Sequence, residues 1–167
     1  MINRRTLFAG VALATAAAVL QACAPREAET QPPTIREVID ANASLSTLAR
    51  LLANAGVESL DEAGPWTVFA PRNSAFDALP EGEVERLLLP ENRAELTRLV
   101  QLHVVSGSYP ASALVNRTTT LNTLSGLNII VDGFNGLHVG GVNVAQPDVM
   151  ARNGVIQILD GIIVPPE

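Results

Sequence analysis

Four places in the 167-residue chain carry side chains able to do chemistry: Cys23, Ser74, the pair His103 and His138, and Asp148 beside Val149. Ser74 lies in residues 67–76, TVFAPRNSAF, where a β-branched and aromatic run meets Pro71 and then a helix-forming stretch. Hydrolases often hold a nucleophile where a strand turns into a helix. Such an elbow needs glycines on both sides, with a histidine and an acid converging on the serine. The neighbours here are Asn73 and Ala75. The stretch therefore reads as a fold corner, with Asn73 as helix N-cap, Ser74 as first helical residue, and Phe69 and Phe76 pinning strand and helix to one core. No catalytic residue is assigned.

His103 continues the stripe Leu96, Leu99, Val100 at i, i+3, i+4 and i+7, so it is expected to point inward. A buried neutral imidazole needs a partner for each nitrogen, and Asn73 is the candidate. His103 carries two readings: a lock inside the core, or a partner-binding group. His138 alternates with Leu137 and Val139 and is expected to face solvent. Two distant histidines and one cysteine do not make a zinc ligand set, and Asp132-Gly133 and Asp160-Gly161 read as turns, so no metal or cofactor is assigned. The chain has no lysine, which excludes Schiff-base and phosphate-loop chemistry. Pro147 is expected to end a strand over 142–145 that buries Val142 and Val144, lifting Asp148 and Val149 outward. There a carboxylate would orient a partner and an aliphatic group would fill a pocket. The same residues also read as a plain turn between strands.

The N-terminus reads as a leader over residues 1–22. Arg4 and Arg5 precede an apolar run over 7–20 that is too short for a comfortable membrane span. It ends in Leu20-Gln21-Ala22-Cys23, similar to a bacterial lipobox, which makes Cys23 the expected lipidation site and the membrane tether. Residues 3–8 are similar to a twin-arginine signal; an ordinary secretory route is the alternative. Cys23 is the single cysteine, so no internal disulfide is possible. Residues 23–33 read as an extended linker and 34–167 as one domain. Without the leader, nine arginines face seventeen acids, a formal charge of −8, which disfavours nucleic acid and anionic lipid as partners.

The elements that must position these residues follow from periodicity. Thr34-Ile35-Arg36-Glu37 fits a capping box. Helices are expected over 44–55, closed by Gly56, over 83–89, and from Pro90 onward. Strands are expected over 119–124, 127–131, 137–139, 142–145, 155–159 and 162–164. Helices first and strands later indicate an α+β domain.

Three ordered segments resemble the fasciclin-like (FAS1) family. TVFAPRNSAF is similar to its first signature, Leu102-His103-Val104-Val105-Ser106-Gly107 to its central Tyr-His segment, and residues 153–166 (NGVIQILDGIIVPP) to its closing signature. Leu102 stands for the tyrosine and Gln157 for the closing histidine. The resemblance covers roughly residues 34–166 and makes Phe69, Asn73, Phe76, His103, Gly154 and Asp160 motif residues. It implies the FAS1 fold, a wedge of two β-sheets with several helices packed at one side, used in cell adhesion and matrix attachment. Residues 146–150 (QPDVM) resemble a Glu-Pro-Asp-Ile-Met segment through which some animal members are proposed to engage integrins; Asp148 and Val149 carry over.

The expected protein is thus a non-enzymatic, lipid-anchored adhesion domain of a bacterial cell envelope, facing the periplasm or the cell surface. It would bind a surface protein or polysaccharide, with the membrane reached through Cys23. The alternative is an envelope assembly factor that binds a neighbouring protein of the same cell.

Overall fold

The structure, a computed structural model, describes residues 31–57, 60 and 63–164. The leader, Cys23 and most of the linker lie outside the described residues. Helix α1 (Ile35–Ala41) starts at Thr34, whose hydroxyl accepts from the Glu37 amide while Glu37 Oε2 accepts from the Thr34 amide at 2.7 Å. The Thr34 amide, with the Thr34 hydroxyl 3.2 Å from the same oxygen, holds the Glu37 carboxyl below its ordinary range. A 3₁₀ turn (Ala43–Leu45) leads into α2 (Ser46–Ala55), which Gly56 closes at φ +67°. Short helices α3 (Asn73–Asp77) and α4 (Glu83–Leu87) precede α5 (Arg93–Leu102). A four-residue α6 (Ala111–Leu114) follows, which periodicity did not indicate.

The strands are β1 (Trp66–Pro71), β2 (Val104–Ser106), β3 (Thr118–Asn122), β4 (Asn128–Asp132), β5 (His138–Val139), β6 (Val142–Ala151) and β7 (Gly154–Leu159). They run in the order β2-β1-β7-β6-β5-β4-β3, all antiparallel except β1 beside β7. The expected α+β wedge is present. Its two sheets are joined because β6 is shared: its start pairs β5 and its remainder pairs β7. At the far ends, a Val105–Thr123 bridge brings the region of β3 onto β2.

Two cores result. Helix residues Ile35, Leu48, Leu52 and Leu96 pack on Val68, Ala70, Ile156 and Ile158 from one face of the sheet. The opposite face contributes Phe69, Val105 and Leu159 to a second core with Leu121, Ile129, Val131 and Val139. Strand alternation sends Val68 and Phe69 to opposite faces, so Phe69 and Phe76 sit in different cores, correcting the expectation of a shared one. Each fully buried side chain of this size contributes about 1.5–3 kcal/mol.

Two strand readings also change. β6 does not stop at Pro147; it continues to Ala151 through two register shifts, between Val144 and Gln146 and between Gln146 and Val149. A bulge tolerates proline because the missing N–H is not asked to pair. Residues 162–164 form no strand, despite being β-branched. Their one deeply buried member, Ile163, packs into the second core.

Candidate functional site

The irregular middle of β6 is fixed by a cluster of polar side chains around residues 107–111. Thr67, fully buried on β1, donates its hydroxyl to the Gly107 carbonyl (2.7 Å) and accepts from the Tyr109 amide (2.9 Å). Gln157, fully buried on β7, donates Nε2 to the Tyr109 carbonyl (3.2 Å) and to Asp148 Oδ1 (3.1 Å), and its Oε1 accepts from the Asp148 amide (3.1 Å). Asp148 Oδ1 also accepts from the Ala111 amide at 2.7 Å, the first residue of α6. Three strands thereby hold one loop through side chain–backbone bonds. Satisfying these groups is what makes their burial tolerable.

Asp148 is therefore not a free carboxylate on a turn. The residue is exposed, but its charge is engaged twice, and its backbone sits at φ +56°, a left-handed conformation that Asp tolerates better than most residues. Val149 is half-buried against the helix-side core rather than displayed. Strand continuation places both residues in a bulged ladder. What the bulge leaves outward is Gln146, Pro147 and Met150, the last 66% exposed. Val142 and Val144 are half-buried against the second core.

Beside this bulge lies a cleft of about 660 Å³, bounded by Ser108, Pro65, Met150 and Arg152. Its floor is set by Asn153 and Gly154. Asn153 Oδ1 accepts from the Ile35 amide at 2.9 Å, its Nδ2 donates to the Leu60 carbonyl at 2.7 Å, and its carbonyl accepts from the Trp66 amide. Gly154 faces the Trp66 backbone so closely that a Cβ would collide with that carbonyl.

His103 caps the end of α5 and is 4% exposed. Its Nδ1 lies 2.7 Å from the Leu99 carbonyl, which can only accept, so Nδ1 carries the proton. Nε2 then accepts from the Ile163 amide at 3.3 Å. Burial pushes its pKa down to about 4, opposed by the Leu99 hydrogen bond. With both nitrogens committed to backbone, His103 is a lock and does not reach a partner directly. Asn73 is not its partner. Arg72 is the N-cap residue of α3, and Asn73 instead turns to α2, accepting from the Thr47 amide (3.1 Å) and donating to the Ala43 carbonyl (2.9 Å) and Ser46 Oγ (3.0 Å). Ser74 is exposed, and the committed ring of His103 leaves it no imidazole base there. His138 is half-buried on the outer side of β5, with Nδ1 3.3 Å from the Gly136 carbonyl. Asp160 pairs with Arg72 and accepts from Asn143 Nδ2 at 3.2 Å, tying the end of β1 to β6 and β7.

A second hollow, of about 500 Å³, opens between helices α4 and α5 and residues 162–164, walled by Leu79, Leu87, Leu99, Leu127 and Ile163. Among the described residues no group of three or more His, Cys, Asp or Glu is arranged to hold a metal ion. Sequence reasoning missed Thr67, Tyr109 and Asn153. The one signal for Thr67 is a hydroxyl at an inward position of an otherwise apolar strand.

The model of the fasciclin domain family matches residues 43–165. Protein sll1483 of Synechocystis sp. is 42% identical over 135 residues, 80% of this chain and 74% of that protein. Human stabilin-1 is 36% identical over 138 residues, 80% of this chain but 5% of its own length. Immunogenic protein MPB70 of Mycobacterium bovis is 34% identical over 131 residues, 75% of this chain and 65% of that protein. A solved FAS1 domain pair from the insect cell adhesion molecule Fasciclin I superposes with TM-score 0.70 at 18% identity, covering 80% of this chain and 51% of the pair; that likeness concerns the fold. The chain belongs to the fasciclin domain family.

Proposed function

We propose that this domain is an adhesion module, tethered outside the cytoplasmic membrane through lipid on Cys23, which attaches its cell to a surface protein or glycan and carries out no reaction. The observation that supports it best is the face made by the β6 bulge and the adjoining 660 Å³ cleft. Its backbone is fixed by buried Thr67 and Gln157, while Pro147 and Met150 stand outward from it. A rigid scaffold presenting an exposed apolar side chain at the lip of a concavity suits recognition better than catalysis. Membership of the fasciclin family, whose insect member Fasciclin I is a cell adhesion molecule, points the same way. Asp148 and Val149 belong to this reading as the residues that shape the face; Met150 and Pro147 are the contacts.

The test coats beads with the protein and counts attachment to cells of the same kind. Met150→Asp should leave the melting temperature within a degree or two, since surface changes cost within about 0.5 kcal/mol, yet cut attachment several-fold. Unchanged attachment would move the adhesive face elsewhere on the domain.

A further inference from the structure

We infer that Asn135 is a self-modifying site, whose side-chain amide is converted to aspartate and isoaspartate by attack of the Gly136 backbone nitrogen and then of water. An asparagine or aspartate can close on the backbone nitrogen that follows it most readily when the next residue is glycine, which has no side chain to obstruct the approach. Four such steps occur in the chain: Asp132-Gly133, Asn135-Gly136, Asn153-Gly154 and Asp160-Gly161. The fold ties up three of them. Asn153 is buried, with Oδ1 accepting from the Ile35 amide and Nδ2 donating to the Leu60 carbonyl. Asp132 accepts from the Phe134 amide, and the Gly133 nitrogen that would attack it donates to the Arg117 carbonyl at 2.9 Å. Asp160 is held by Arg72 and by Asn143 Nδ2.

Asn135 is left. It lies in the turn that joins β4 to β5, and both it and Gly136 are exposed. Among the described residues neither the Asn135 side chain nor the Gly136 amide makes a hydrogen bond. Gly136 sits at φ +96°, where a residue with a side chain is strained, so the turn itself calls for the residue that permits the attack. In the reaction the Gly136 nitrogen gives its proton to solvent and bonds to Asn135 Cγ. The bond from Cγ to the side-chain nitrogen breaks, and ammonia leaves. Water then opens the cyclic imide at either carbonyl, yielding aspartate or isoaspartate, and is the one co-reactant. Both products place a new negative charge between Phe134 and His138. Isoaspartate also lengthens the backbone of the turn, which sets a β4–β5 ladder of two residue pairs, Val131–Val139 and Asp132–His138.

The experiment holds the full chain at mildly alkaline pH in heavy-oxygen water, once folded and once in concentrated urea. Mass spectrometry follows each Asn-Gly peptide, with aspartate separated from isoaspartate. In the folded chain Asn135 should convert at least tenfold faster than Asn153, with heavy oxygen in the product and isoaspartate present. In urea, where Asn153 loses its partners, the two rates should converge. Asn135→Gln should remove the product and leave the melting temperature unchanged. Equal rates in the folded chain, or an Asn135 that stays intact, overturns the proposal. A product that is aspartate alone does so too, because direct hydrolysis bypasses the Gly136 nitrogen. Rates that stay tenfold apart in urea would also overturn it, placing the preference in the local sequence rather than in the fold.

Discussion

Asp148 and Gln157 hold each other twice: the Asp148 amide donates to Gln157 Oε1, and Gln157 Nε2 donates back to Asp148 Oδ1, each at 3.1 Å. The pair bridges adjacent strands at the point where β6 loses its register. It makes the bulge a fixed shape rather than a slack one.

Asp148→Ala should therefore destabilise the domain by about 1–3 kcal/mol, because the Ala111 amide and Gln157 Nε2 lose their acceptor. The left-handed backbone adds to the cost, since alanine adopts φ +56° less readily than Asp. Gln157→Ala should cost more, leaving the Tyr109 carbonyl unpaired in the interior beside a cavity. A double-mutant cycle followed by urea denaturation should give a coupling of about 0.5–3 kcal/mol. Additive single effects would show that the two residues act separately.

His103 makes stability depend on pH. The fold lowers its pKa to about 4 from about 6.5, so the unfolded chain binds the proton more readily. This contribution is complete above pH 6.5 and is lost as pH falls toward 4, with a slope approaching ~1.4 kcal/mol per pH unit. Protonated Nε2 would meet the Ile163 amide donor to donor. His103→Gln, which does not titrate, should flatten the urea midpoint between pH 6.5 and 4.5 relative to the unmodified protein. A parallel pair of curves would show that other groups govern the acid limb.

Asn153→Ala should remove the partners of two backbone groups, the Ile35 amide and the Leu60 carbonyl, at the junction of α1 with the sheet. With about 1–3 kcal/mol for each buried group left unsatisfied, a loss of roughly 2–4 kcal/mol is expected. Hydrogen exchange should show the N-terminal amides of α1 losing protection first. Retained protection at Ile35 would mean that water replaces the side chain without cost.

Cys23→Ala should keep the protein from partitioning with membranes and leave its leader unprocessed by the lipoprotein route. The anchor energy is about 0.8 kcal/mol per buried methylene, so its loss should be complete rather than graded. A wild-type protein recovered free of acyl chains would end the tether reading.

Much of this fold is legible where the signal is local. The Thr34–Glu37 capping box, the left-handed Gly56 stop and the strand that ends at Pro71 all depend on a few adjacent residues, and all appear as the sequence indicates. What escaped depends on distant partners. Pro147 punctuates a turn by its local chemistry, yet the strand runs through it because β7 supplies pairing on either side. Residues 162–164 have strand composition but pair with no neighbouring strand. Asn73 is placed well to cap its own helix and instead serves the start of α2, a choice made by tertiary packing. The same limit applies at the bulge: the acceptor of Asp148 and the donors of Gln157 are set by residues as far away as Tyr109. Helix α6 is four residues long, below what periodicity can register, and its first amide is held by Asp148 from another strand.

The Val105–Thr123 bridge has a consequence for how such a domain can touch its neighbours. Open sheet edges invite other chains to add a strand, a sequence-blind mode that leads to aggregation when proteins are crowded. Here the terminal strands β2 and β3 are brought onto each other, and along β3 the residues Thr118, Thr119 and Thr120 are polar. Main-chain templating is thereby confined to a short polar rim. Many copies can sit side by side without zipping together, and contacts between them are left to side chains, whose identities evolution can change one at a time.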